Sequence, residues 1–260
     1  MATQSHLPDF SLQGKVALVT GSTQGLGLAI ARAYAASGAR VIINGRRPDG
    51  VERAVALLAD DGHAAHGFAH DIGHIDEQQA AFDRLCQDVG VPDILVNNVG
   101  IRIRKALEEA TLADITELIT INLVASVHLS KLAASAMARG GKPGRIITLT
   151  SIAGELARTG DAIYPVAKQG LAGLIRALAV EYGDRGITSN GIAPGTFATE
   201  SNAGLAADPV KGPLVVGRNP LGRWAQPHEI AGAAVFLASP AASYVNGHIL
   251  VVDGGFSVTF

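Results

Sequence analysis

Seven short apolar runs punctuate the chain: 15-KVALVT-20, 40-RVIIN-44, 64-AAHGFAH-70, 93-DILVNN-98, 144-GRIITLT-150, 187-ITSNGIA-193 and 248-HILVV-252. Their apolar residues are continuous rather than alternating, the pattern of strands buried on both faces. Between the runs, apolar residues recur every three or four positions, as in Leu171, Leu174, Leu178 and Tyr182. That is the period of a helix with one face against a core. The alternation predicts an α/β fold: a single-domain, doubly wound parallel sheet of about seven strands with helices on both faces. Ligands are then expected beyond the carboxyl ends of the strands. No repeat or Pro/Ser-rich linker divides residues 1–260. Only the stretch 195–224, rich in Gly, Ala and Pro and weakly periodic, departs from the pattern, and it reads as a flexible flap over a site.

Composition narrows the possibilities. With 48% hydrophobic residues, the chain can bury a large core and does not have the make-up of a disordered protein. The net charge is −2, from 21 basic and 23 acidic residues, which leaves no electrostatic footprint for nucleic acid or a membrane surface. Cys86 is the sole cysteine, so an intrachain disulfide and a zinc–cysteine cluster are both excluded. The start, MATQSHLPDFSLQGK, has no basic region followed by an apolar stretch and does not read as a signal peptide. The nearly uncharged segment 230–252 is broken by Pro240, Asn246, Gly247 and His248, so it reads as helix, turn and strand. A soluble, cytoplasmic protein is expected. His66, His70 and His74 tempt a metal reading, but four-residue spacing on a strand separates neighbours by roughly 13 Å, too far to share an ion. No metal is expected.

The first strand runs straight into 20-TGSTQGLG-27 and then a helical pattern. Gly21, Gly25 and Gly27 permit a tight turn and close approach of a phosphate, while the helix start offers free N–H groups and a positive dipole end. Ser22, Thr23, Gln24 and Leu26 complete the turn. This context is that of a dinucleotide-binding turn. An NAD-binding fold usually carries an acidic residue about 20 positions on to hold the ribose hydroxyls. Here Gly45 stands at that point, followed by Arg46 and Arg47. A carboxylate would repel a 2′-phosphate and a guanidinium would bind it, so NADP(H) is preferred, with NAD(H) possible.

Tyr164 precedes Lys168 by four residues, one helical turn, so phenol and ammonium share a face. An ammonium there would stabilise the phenolate and fit the tyrosine for acid–base work. Pro165 suits the first turn of a helix, which puts Tyr164 at its start. Ser151 ends an apolar run and should emerge at the carboxyl end of a central strand, where its hydroxyl can hold a substrate oxygen. Asn122 falls on the apolar stripe of Ile115, Ile119, Leu129 and Ala133, and a buried amide needs partners. Tyr34, Tyr182, Tyr244 and Trp224 read mainly as packing groups, with Trp224 able to close the flap.

With 20-TGSTQGLG-27, 97-NNVG-100, Asn122, Ser151, 164-YPVAK-168 and 194-PG-195 in order, the chain resembles the short-chain dehydrogenase/reductase family along nearly its whole length. Val99 stands where the family usually has alanine. Within the family, 44-NGRR-47, 155-ELAR-158, 196-TFATE-200, 222-GRW-224 and 246-NGHILVVDGG-255 are similar to gluconate 5-dehydrogenases. The resemblance implies hydride transfer between NADP(H) and a secondary alcohol or ketone, with Asn122, Ser151, Tyr164 and Lys168 catalytic. It implies that Lys168 also bonds the nicotinamide ribose and that Asn122 joins a water-linked proton relay with it. Asp71 and Ile72 match adenine-binding positions, and Asn98, Gly100, Pro194, Gly195 and Thr196 complete the implied cofactor set. A homotetramer is also implied, pairing apolar helix faces around residues 112–138 and 163–183.

For the substrate, Arg104 and Arg158 match positions that could hold a sugar acid's carboxylate beside Ser151 and Tyr164. The plainer alternative is that Arg102, Arg104 and Lys105 pair with Glu108 and Glu109 on a solvated helix start. A reductase of another carbonyl, such as a 3-oxoacyl thioester or a polyol-derived or cyclic ketone, stays open. So does a non-catalytic NADP-binding protein, although such a protein would not need all four catalytic residues.

Overall fold

The computed structural model describes residues 7–260; the opening of the N-terminal stretch read above lies outside them. Seven strands form: β1 (Val16–Val19), β2 (Arg40–Gly45), β3 (Ala65–Ala69), β4 (Ile94–Asn97), β5 (Gly144–Leu149), β6 (Ile187–Pro194) and β7 (Ile249–Val252). They join in one sheet of order β3-β2-β1-β4-β5-β6-β7, and every pairing is parallel. The order reverses direction between β1 and β4, the point at which such sheets open a crevice for ligands.

The helices are α1 (Gly25–Ala36), α2 (Pro48–Asp60), α3 (Ile75–Val89), α4 (Leu112–Ile119), α5 (Ala125–Arg139), α6 (Ile163–Tyr182), α7 (Ala203–Ala207), α8 (Lys211–Val216) and α9 (Ala231–Ala238). Successive strand residues point to opposite faces, and the core divides accordingly. Ala17, Val19, Val41, Ile43, Ile94 and Val96 pack with Ile30, Tyr34 and Leu237 on one side. Leu18, Ile42, Leu95 and Ile146 pack with Phe82, Leu129, Leu132 and Leu178 on the other. The continuous apolar runs thus serve two cores at once.

The run Leu112–Arg139, with a mean hydropathy of 1.4, has the length and apolarity of a membrane span. Here it is interrupted by a π-turn at Thr120–Val124, and its Leu129, Ala133, Ala134 and Met137 are buried against the sheet. Two features of the fold are not legible in the sequence. The stretch 195–224 contains the helices α7 and α8, too short at five and six residues to register as periodicity in the sequence. A Trp224 Nε1 hydrogen bond to Gly212 O at 3.1 Å holds α8 in place. Tyr244 is no packing group; it is fully exposed on the turn after Pro240–Ala242. Tyr34, by contrast, is fully buried and donates to Ala234 O at 3.1 Å.

Candidate active site

Beyond the carboxyl ends of β1, β4, β5 and β6 lies a cleft of about 490 Å³, within the range of small-ligand sites. One border is the glycine turn. Gly21 and Gly25 have φ of +60° and +59°, a region that favours glycine. At Gly27 the objection to a side chain is different: a Cβ would lie 2.4 Å from Gly21 O and 2.6 Å from Asn98 Nδ2. Asn98 Nδ2 donates to Thr20 O and Gly21 O at 2.9 and 3.2 Å, and Thr20 Oγ1 accepts from Asn98 N at 2.9 Å, binding the turn to the end of β4. Val99 puts Cγ2 within 2.9 Å of where a Cβ on Gly21 would sit, a second reason for glycine there. Gln24, at the N-cap of α1, makes no side-chain cap bond, so the first N–H groups of this helix are available to an anion.

Gly21, Thr23, Gln24, Gly25, Leu26, Arg46, Asp71, Ile72, Asn98, Gly100, Pro194 and Gly195 all line the cleft. Four others expected there do not. Ser22 is buried, donating to Val19 O at 2.7 Å and accepting from Asn44 N at 3.0 Å, so it braces the turn. Gly27 packs beneath it, and Thr196 lies just past the lining residues. Arg47 points into solvent toward Asp49 at 3.8 Å. Arg46 lies at the rim with no ion pair among the described residues. Asp71 turns its carboxylate onto Gly73 N at 2.9 Å rather than capping α3, whose N-cap is His74. An acidic side chain at Gly45 would have to displace Thr23, since its Cβ would come within 2.6 Å of Cγ2. A cradle of this kind, with a free guanidinium at its edge, fits a dinucleotide bearing an extra phosphate.

Across the cleft stand Ser151, Tyr164 and Lys168. Ser151 follows β5 and begins a short 3-10 turn, where its Oγ accepts from Ala153 N at 3.1 Å. Tyr164 sits in the first turn of α6, one residue before Pro165. Lys168 is buried and donates from Nζ to Leu149 O at 2.9 Å. Burial, followed by the nearby Arg102 charge, lowers its pKa to about 8. Burial pushes the Tyr164 phenol up, opposed by the Arg102 guanidinium and a hydrogen bond with Ser151. The sequence pairing suggested Lys168 as the group that pulls this phenol down; the structure adds the Arg102 guanidinium beside it.

Asn122 is fully buried at the centre of the π-turn. Its Oδ1 accepts from Ile101 N at 2.7 Å and its Nδ2 donates to Ile101 O at 2.8 Å, so one amide holds the chain just past β4. The arginines of that loop part company. Arg102 lines the cleft and is paired with Asp161, which is 1% exposed. Arg104 is exposed and outside the lining residues, though its charge reaches Tyr164. Lys105 pairs with Asp114 at 2.7 Å, so the expected partners Glu108 and Glu109 take neither Arg102 nor Lys105. Arg158 is exposed and also outside the lining residues. Asp161 was missed in the sequence; an acid three residues before Tyr164 was the only hint of it. Among the described residues no group of three or more His, Cys, Asp or Glu could hold a metal ion.

The profile of a family described as enoyl-(acyl carrier protein) reductase matches residues 21–257. The chain belongs to the short-chain dehydrogenase/reductase family, and it is an NAD(P)-dependent oxidoreductase of that family. It is 39% identical over 258 residues to the gluconate 5-dehydrogenase of Gluconobacter oxydans, covering 98% of this chain and 99% of that one. It is also 40% identical over 250 residues to the D-threitol dehydrogenase of Mycolicibacterium smegmatis, covering 96% and 95%. Among solved structures, a gluconate 5-dehydrogenase from Burkholderia cenocepacia, in complex with NADP and tartrate, superposes with a TM-score of 0.92 at 37% identity, covering 96% of this chain and 98% of that one.

Proposed function

We propose that this enzyme interconverts a secondary alcohol and a ketone of a small sugar acid of the gluconate/5-ketogluconate kind, using NADP(H). The observation that carries the reading is one cleft bordered by the glycine cradle and Arg46 and by Ser151, Tyr164 and Lys168. When bound, NADP(H) supplies or accepts the hydride. The cradle residues hold its phosphates, Arg46 its extra phosphate, Asp71 and Ile72 its adenine end, and Lys168 its nicotinamide ribose. In reduction, Tyr164 Oη gives its proton to the carbonyl oxygen while Ser151 Oγ hydrogen-bonds the same oxygen. In oxidation, the proton returns to Tyr164. Asn122 fixes the loop at Ile101 and joins Lys168 in the relay that replaces the proton. Arg104 and Arg158 are the proposed carboxylate partners, each reaching the substrate by turning inward from an exposed position.

A neutral polyol or its ketone is the second reading, favoured by the likeness to D-threitol dehydrogenase and by a cleft arginine already paired with Asp161. We take residues 1–260 as one dinucleotide-binding and catalytic domain, with 195–224 closing over the substrate. The near-neutral charge and the single cysteine support a cytoplasmic protein with no nucleic-acid or membrane partner. The exposed Val124, Val127, Val166 and Val180 on α5, its preceding π-turn and α6 support pairing in a homotetramer.

The test is the initial rate of NADPH oxidation with 5-ketogluconate, with NADH and with neutral ketones, alongside Tyr164→Phe. Turnover with NADPH that is lost in the variant is the expected result. Activity confined to neutral ketones would move the assignment to the polyol reading. Full activity in Tyr164→Phe would remove the acid–base scheme.

A further inference from the structure

Arg102, in the cleft wall, and Asp161, buried behind it, are charged groups that the scheme above does not use. The Arg102 guanidinium carbon lies 4.6 Å from the centroid of the Tyr164 ring, within range of a cation–π contact. Lys168 Nζ is farther, at 5.5 Å. Arg102 Nε reaches Asp161 Oδ2 at 2.7 Å and Nη2 bonds the same oxygen, so the guanidinium is gripped along one edge. Asp161 lies two residues before α6, and its other oxygen, Oδ1, is buried without a hydrogen-bond partner. A buried carboxylate with half its acceptors unused is costly in free energy unless an opposite charge is beside it, and Arg102 is that charge.

We propose that Arg102, anchored on Asp161, is a positioning residue that gives the Tyr164 phenol a second cationic partner besides Lys168. The inference rests on Tyr164 being the acid–base group proposed above. The groups facing the phenol are Lys168 on its own helix, Ser151 after β5, Arg102 and Arg104 from the loop after β4, and Asp161 from the loop before α6. Of the charges, Arg102 acts most strongly to favour phenolate, and Asp161 opposes it more weakly. The two cations differ in kind. Lys168 gives up its proton at about pH 8, whereas a guanidinium stays charged throughout the working range. Arg102 therefore keeps a positive charge beside the phenol at alkaline pH, where alcohol oxidation needs a base.

The experiment compares pH profiles of alcohol oxidation with near-ultraviolet tyrosinate titrations of the same proteins, the Tyr164 signal being isolated by subtracting Tyr164→Phe. Arg102→Gln moves both midpoints to higher pH. The double variant Arg102→Gln/Asp161→Asn, which leaves no unpaired buried charge, moves them in the same direction by less. Arg102→Lys, which keeps the charge, stays nearest the wild type, and Arg104→Gln shifts less than Arg102→Gln. Should Arg102→Gln fail to fold, the double variant decides. Profiles of either that superimpose on wild type in both readouts would overturn the proposal. If Tyr164→Phe instead retains activity, the acid–base scheme fails, and the absorbance titration still decides whether Arg102 acts on the phenol.

Discussion

The glycine turn at 20–27 and the wall formed by Arg102, backed by the buried Asp161, border the same cleft, yet they are built from different materials. The turn is backbone against backbone: Gly27 lies so close to Gly21 O that a single methyl group has no room. The wall is made of long side chains, and its decisive contact joins residues 59 apart in sequence. A site defined by backbone approach tolerates one residue type and leaves that mark in the chain. A site defined by side-chain pairing tolerates many solutions, and its choice emerges only when the chain is folded.

The sharpest way to break the comparison is Gly27→Ala. Displacing the turn by the better part of an ångström should weaken NADPH binding by about 100-fold, read by isothermal titration. Retention of wild-type affinity would mean that the turn yields as readily as the wall. Arg46→Ala comes next. It removes one charge-assisted contact to the extra phosphate and should raise the KM for NADPH about tenfold while leaving that for NADH unchanged. Equal losses with both cofactors would assign Arg46 to the fold rather than to the phosphate.

The smallest effect sharpens the picture of the wall's support. Asp114 caps α4 through Thr111 and holds Lys105; these contacts, the Lys105 hydrogen bond first, lower its pKa to about 2. Glu229, bonded to Arg223, is likewise lowered to about 2. Each folded pKa lies below the ordinary values of 3.8 and 4.5, so the folded state binds fewer protons than the unfolded one in that interval. The stability they contribute is present above those values and is lost as pH falls toward about 2. A series of melting temperatures across acid pH should therefore decline less steeply in Asp114→Asn than in wild type. Parallel declines would show that the cap contributes nothing through ionisation.

The same contrast explains what could be read before folding. The central strands β1, β2, β4 and β5 were visible because each feeds two cores and so carries a continuous apolar run. Ser151, Tyr164 and Lys168 were visible because strand-end position and helical spacing are local properties. The helices at 203–207 and 211–216 were not, because one or two turns leave no period to detect. Tyr244 was misjudged because a ring's burial depends on what covers it, and nothing near it in the chain reports that. Arg104 and Arg158 looked equivalent as isolated cations; both are exposed, and only the fold shows that the charge of Arg104 reaches Tyr164. Arg102 looked like surface charge, because its partner lies beyond the next strand.

The π-turn at Thr120–Val124 carries a consequence for how this protein can change. A π-turn is an α-helix with one residue too many, and its hydrogen bonding is poorer than that of the helix on either side. Losing that residue would heal the helix and swing everything beyond it round by about 100°. Asn122 would then leave Ile101, and the loop bearing Arg102 would lose the amide that holds it. On the proposed scheme, a change that stabilised this helix would undo the loop that the chemistry uses. The one residue too many in this helix is what lets a single amide hold the loop across from it.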